Sequence, residues 1–300
     1  MLNRLRRCQL SVPGSSQKMI TKSSSLDVDV IVLDLEDAVA PSQKAAAREQ
    51  VVEALNSMQW KARSVAVRIN DILSEHCYAD IIALATASRV PDTLILPKAQ
   101  RTTDICFVET LLNQIEKNVS ASQSIGIEAL IEDVEGMMRV EEIAACSDRL
   151  ESLIFGMGDY AASQQMDLDV IGGSGSHYQG DLWHYPRYRL TIAARANNLA
   201  PIDGPMADFN NSKALIDDCL SIKTLGMAGK WAIHPNQIEN ITNSFTPSSK
   251  AIDQARLQFS EYQKAVQQGL GAIEVDGIMV DAATIKMLQP LLDTANQLGL

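Results

Sequence analysis

The sequence has no C-x-x-C pair: its five cysteines, Cys8, Cys77, Cys106, Cys146 and Cys219, are scattered along 300 residues. That spacing argues against both a zinc site and a disulfide framework, and leaves reduced, packed thiols as the expectation. Aromatic residues are scarce at 5%, while 46% of the chain is apolar, so the core must be built from Ala, Ile, Leu and Val. Such a composition suits a large α/β domain. Basic charge is also in deficit. A formal net charge of −11 provides no cationic stripe for a phosphate backbone, and nucleic acid is not an expected partner. No apolar run approaches the length of a membrane span, and no signal-peptide core follows the start. Residues 1–26 contain no acid and are rich in Arg, Lys and Ser, as a transit segment is, but CQLSVPG already reads as a strand running into a Pro-Gly turn. The cytoplasm is therefore the expected location.

What is present is a regular alternation. Short β-branched runs at 7–12, 29–35, 64–69, 92–97, 126–132, 150–156, 199–203 and 229–233 read as eight strands. Between them lie helical patterns such as KAAAREQVVEALNSM (44–58) and VEEIAACSDRL (140–150), long enough for crossovers. Eight βα units without a G-x-G-x-x-G motif favour a TIM (β/α)8 barrel over an open dinucleotide-binding sheet. Residues 163–186 form a Gly-rich, aromatic-tipped insertion after the sixth strand, where a barrel carries active-site loops. The barrel is expected over 1–244. From 245 to 300, a helix, a short AIEVDGIMVD turn and a final helix read as a C-terminal helical lid.

Catalytic groups of such a barrel sit at the carboxyl ends of its strands. Read there, the polar residues are Asp34, Glu36 and Asp37 (LDLED), Arg68 and Asn70 (VRIND), Lys98, Glu132, Asp159, Asp203 and His234, expected to converge on one site. Along strand five, Ile127, Ala129 and Ile131 alternate with Glu128, Leu130 and Glu132, so Glu132 should project inward at the top. Asp159 follows a G-M-G turn whose Gly158 lets a substrate approach the backbone closely. Two neighbouring carboxylates with few nitrogen or sulfur partners favour Mg²⁺, completed by water and substrate oxygens. Arg68 offers a planar fork for a substrate carboxylate, with an inter-strand salt bridge as its structural alternative. Lys98 and Asp203 are equally open to a loop-anchoring role, and for His234 a satisfied structural role is favoured.

LSVPGS, VIVLDLEDAVAPSQKAAAR, VRIN, LPK, IEALIED, FGMGDYAAS and GKWAIHPNQIE, in this order over almost the whole chain, resemble the CitE-like/HpcH-HpaI superfamily of acyl-CoA lyases. DLWHYPRYRLTIAARANNLAPIDGPMADFNN and IMVDAATIK resemble its malyl-CoA lyase branch. The resemblance implies a Mg²⁺-dependent enzyme (Mn²⁺ as a substitute) with Glu132 and Asp159 as metal ligands and Arg68 gripping a small 2-oxo acid. It also implies a CoA thioester as partner substrate, and a catalytic Asp281 on the lid, donated to a neighbouring subunit of a homotrimer or homohexamer. Residue chemistry alone makes Asp281 equally a helix N-cap. Glu36 and Asp37 are expected around the metal's waters, with Asp34 anchoring the strand end or orienting the catalytic aspartate. The implied reaction is cleavage of a 3-hydroxyacyl-CoA such as malyl-CoA to glyoxylate and acetyl-CoA. Citramalyl-CoA or β-methylmalyl-CoA cleavage, malyl-CoA thioester hydrolysis, and a citrate lyase β-subunit acting within a complex are the alternatives.

Overall fold

The β-branched runs form eight parallel strands: β1 (Cys8–Pro13), β2 (Val30–Asp34), β3 (Ser64–Arg68), β4 (Thr93–Leu96), β5 (Gly126–Ile131), β6 (Leu150–Phe155), β7 (Ala200–Asp203) and β8 (Gly229–Ala232). They pair in sequence order, and β8 returns to β1, giving the closed barrel expected from the strand count. The computed structural model describes residues 4–119, 123–168, 170–173 and 178–300. Strands β2 to β5 are buried along their whole length, as befits a sheet covered on one side by helices and filled on the other by its own side chains.

The covering helices are α1 (Gln17–Ser23), α2 (Lys44–Ser57), α3 (Cys77–Ala85), α4 (Thr102–Asn118), α5 (Val134–Met138), α6 (Val140–Ala144), α7 (Met157–Ser163), α8 (His184–Ala196) and α9 (Ser212–Thr224). In α2, Ala47, Val51, Ala54 and Leu55 lie on one stripe and are the buried residues. The helix expected over 140–150 is shorter: α6 stops at Ala144, since the chain must turn before entering β6 at Leu150. Inside the barrel, Val30, Val32, Ala66, Ile95, Leu130, Ile154, Ile202 and Trp231 form one packed layer. Two positions beyond Val32, Ala66 and Leu130, the last inward residues of β2, β3 and β5 in this layer, stand Asp34, Arg68 and Glu132, so strand alternation lifts these groups onto the upper rim. Expected Gly-rich insertion residues 169 and 174–177 lie outside the described residues; in the described part, Trp183 is buried, donates its indole N–H to the Gly173 carbonyl (3.0 Å) and packs edge-on against Phe155.

The chain divides into two compact units, Met1–Thr242 and Asn243–Leu300, with α10 (Ile238–Phe245) running across the boundary. In the second unit, α11 (Ser249–Gln267) starts at the Ser248 cap and is followed by an antiparallel hairpin of β9 (Ala272–Val275) and β10 (Ile278–Asp281). Asp276 and Gly277, with φ of 51° and 77°, make the two-residue turn. Asp281 ends β10 and begins α12 (Ala282–Leu298) as its N-cap, accepting the Thr284 N–H at 2.9 Å. The segment is thus a helix–hairpin–helix and not purely helical. Among the described residues, no helix is long and apolar enough to cross a membrane.

Candidate active site

Asp34 and Arg68 are register partners on adjacent strands, so their inward side chains meet at one height. Arg68 donates through Nε and Nη2 to the two oxygens of Asp34 at 2.7 and 2.5 Å, and Asp34 also accepts the N–H groups of Glu36 and Ala38. Every oxygen of Asp34 is engaged and the residue is fully buried. Asp34 therefore holds Arg68 and the LDLED turn in place at the strand end, the anchoring arrangement of the two roles expected for it. The inter-strand bridge weighed as the alternative for Arg68 is present as well. Its Nε edge is committed to Asp34, and Nη1, 3.3 Å from Glu36 and 3.4 Å from Asp37, is the part turned toward the cavity rim. Burial opposes the arginine charge, but Asp34 outweighs it and the guanidinium stays protonated.

Lys98 closes the next link. Its backbone is left-handed at φ 51°, a costly conformation for a residue with a side chain, and this directs its N–H at Glu132 Oε1 (2.8 Å) while Nζ pairs with Glu36. One oxygen of Glu132 is thereby fixed, and the other faces Gly156. A Cβ on Gly156 would lie 2.4 Å from the Glu132 Cβ and 2.7 Å from Oε2, so only glycine at the end of β6 leaves Glu132 its place. Burial pushes the Glu132 carboxyl up to about 8, and nearby Asp159 adds to the rise while Arg68 opposes it. Burial also raises Glu36. Asp37, at the mouth, is lowered despite its partial burial by a hydrogen bond from Glu36 and by the charges of Arg68 and Lys98.

These groups surround a cavity of about 360 Å³, whose lining includes Asp37, Arg68, Glu132, Gly158, Asp159 and Trp231. Carboxylates outnumber cations here, and burial together with Asp159 disfavours charge on Glu132, which a further cation would offset. Among the described residues no three His, Cys, Asp or Glu side chains cluster as a full ligand set. A hard divalent cation that keeps water or takes substrate oxygens needs no such set, and the oxygen-only pair Glu132 and Asp159 fits Mg²⁺ on that ground. Gly158 opens the wall beside them: a Cβ there would come 3.1 Å from Ile171.

Of the residues expected at the strand ends, the structure brings Asp34, Glu36, Asp37, Arg68, Lys98, Glu132 and Asp159 together and places three others elsewhere. Asp203 follows the inward Ile202 and so faces the helices, buried between Arg187 (2.9 Å) and Lys230, with Asp218 nearby. Although burial works against its charge, those two cations hold its carboxyl below the usual range. Asn70 donates to buried Asp80, and His234, stacked on Phe209, accepts the Asn236 N–H as the cap of a short turn. Sequence reasoning missed Trp231 and, within the G-M-G turn it singled out, the room that Gly156 leaves for Glu132. Strand alternation was the available signal for Trp231, because Lys230 and Trp231 must face opposite sides of β8. Asp281, in the second unit, is partly exposed, and hydrogen bonds donated by the Thr284 N–H and hydroxyl lower its carboxyl pKa.

Comparison with known proteins gives a consistent picture. The HpcH/HpaI aldolase/citrate lyase family matches residues 7–235. The chain is 35% identical to L-malyl-CoA/beta-methylmalyl-CoA lyase of Cereibacter sphaeroides, over 98% of this chain and 95% of the relative. It is 30% identical to citrate lyase subunit beta of Escherichia coli, over 99% and 95% respectively. Among solved structures it resembles the citrate lyase beta subunit of M. tuberculosis complexed with oxaloacetate and magnesium, with a TM-score of 0.63 and 26% identity over 80% of this chain and 97% of that one.

Proposed function

This chain belongs to the HpcH/HpaI aldolase/citrate lyase family, and we propose that it is a Mg²⁺-dependent carbon–carbon lyase that cleaves a 3-hydroxyacyl-CoA such as malyl-CoA to glyoxylate and acetyl-CoA. The observation that carries this reading is the buried Glu132, pushed up to about 8 beside Asp159 in a cavity shared with Arg68. A carboxyl whose ionisation burial disfavours gains from exchanging its proton for a metal ion. The identity to a malyl-CoA lyase over nearly the whole chain supports the acyl unit.

Glu132 and Asp159 would hold the cation. Bound there, Mg²⁺ supplies a Lewis acid that polarises the oxygen of the small acid's carbonyl. Arg68 grips the acid's carboxylate through its Nη1 side, held to a fixed height by Asp34. In cleavage, the hydroxyl gives up its proton and the bond from its carbon to the thioester's α-carbon breaks. The hydroxyl carbon becomes the aldehyde of glyoxylate, and the electron pair passes to the thioester as an enolate, which a proton converts to acetyl-CoA. Buried Asp34 is fully engaged, and Glu36 is tied to Lys98 and Arg68. We assign proton transfer at the α-carbon to Asp281, donated by the C-terminal segment of a neighbouring copy in a homotrimer or homohexamer. The cytoplasm is the compartment we infer.

Product analysis with malyl-CoA, β-methylmalyl-CoA and citramalyl-CoA, with Mg²⁺ and with chelator, tests the reading. Glyoxylate and acetyl-CoA released from malyl-CoA only with the metal are expected. Free malate in place of glyoxylate, or turnover unaffected by chelator, would overturn it.

A further inference from the structure

Trp231 occupies β8 with its side chain inside the barrel, 5% exposed, in the interior layer with Leu130, Ile154 and Ile202. Its upper side forms part of the cavity lining, and the Arg68 guanidinium lies over its ring, 5.6 Å from the centroid. Stability alone does not account for an indole at this position. Its Nε1–H is buried and, among the described residues, has no hydrogen-bond partner. A burial without a partner is unfavourable, and phenylalanine or leucine would fill a barrel layer without that donor. Trp231 therefore answers to the cavity above it.

A 2-oxo acid has three groups on a planar carbon: carboxylate, oxygen, and a third substituent. The carboxylate goes to Arg68 and the oxygen to the side of Glu132 and Asp159, so the third substituent is left for the apolar lining. Because that carbon is one bond from the carboxylate held by Arg68, its substituent lies within reach of the ring that underlies the guanidinium. The ring cannot retreat. It is packed into a close-filled layer with the cationic group over its face, and interiors of this density yield little to an added methyl.

We propose that Trp231 is a specificity-determining residue whose indole restricts the small substrate to an acid with only hydrogen on the carbonyl carbon, glyoxylate, and excludes its methyl homologue pyruvate. The inference rests on the lyase reading above and goes beyond it by naming the residue that selects the oxo acid. One methyl group in a fitted pocket is worth about 10- to 200-fold in discrimination.

The test compares wild type, Trp231→Phe and Trp231→Leu in condensation of acetyl-CoA with glyoxylate and with pyruvate, together with calorimetric binding of each oxo acid to the Mg²⁺-loaded protein. Wild type should prefer glyoxylate, and the pyruvate-to-glyoxylate ratio of kcat/KM should rise about tenfold or more in the variants. A merely structural role would lower both rates together and leave the ratio unchanged, which would overturn the proposal. So would a wild type that accepts pyruvate as readily as glyoxylate, a result independent of whether either variant folds. If wild type binds oxo acids but condenses neither, the lyase reading fails, and the calorimetric ratio across the variants still decides the role of Trp231.

Discussion

Glu132→Gln separates the cost of building the site from its use. In the metal-free protein, ionising Glu132 is opposed by burial and then by Asp159, so its carboxyl rises from 4.5 to about 8. A carboxyl whose folded pKa is raised contributes its stabilisation fully below pH 4.5 and loses it as the pH climbs through about 8. At about 1.4 kcal/mol per pH unit, the loss amounts to on the order of 5 kcal/mol above pH 8. The amide of glutamine never ionises and can still accept the Lys98 N–H, so the variant avoids this loss. Thermal unfolding in chelator at pH 9 should then find Glu132→Gln more stable than wild type by about 5–10 °C, at roughly 2 °C per kcal/mol for a chain of this size. Near pH 4.5 the two should coincide. Adding Mg²⁺ at pH 9 should raise the wild-type Tm by mass action and leave the variant unmoved and inactive. A variant no more stable than wild type at pH 9 would refute the electrostatic argument, and a Mg²⁺-induced shift retained by the variant would refute the ligand assignment.

Gly156→Ala should weaken Mg²⁺ binding in a calorimetric titration and destabilise the fold by about 1–3 kcal/mol, because its Cβ would meet Glu132 at 2.4 Å; unchanged affinity would show that Glu132 has room to spare. Arg68→Lys replaces a fork with a point charge and leaves buried Asp34 short of donors, so KM for glyoxylate should rise far more than KM for acetyl-CoA. Equal rises for both substrates would count against the assignment. Asp281→Asn should leave the Tm nearly unchanged, since asparagine caps a helix nearly as well, yet lower turnover about 10²- to 10⁴-fold. Mixing inactive Arg68→Ala and Asp281→Asn subunits should restore some activity once they exchange; none regained after demonstrated exchange would remove the cross-subunit role.

How much of this was legible in the chain depends on the range of the interaction that decides each feature. Eight runs of β-branched residues at βα spacing specify a barrel because strand length and crossover length are local properties, and each expected strand lies within one residue of its place. The inward aim of Glu132 was equally legible, since alternation along β5 is a property of six consecutive residues. The Asp276-Gly277 turn and the capping role of Asp281 follow from neighbours in sequence. What required tertiary structure was every pairing between strands. Asp34 meets Arg68 only because the barrel's register sets them at one height. Asp203 leaves the site because Arg187 and Lys230 converge on the helix-facing side of β7 and β8. Gly156 matters only because β6 brings it against Glu132 of β5. Periodicity along a strand tells which side a residue faces; which charges and which free volume await it there is decided by closure of the barrel, which fixes the stagger of all eight strands at once.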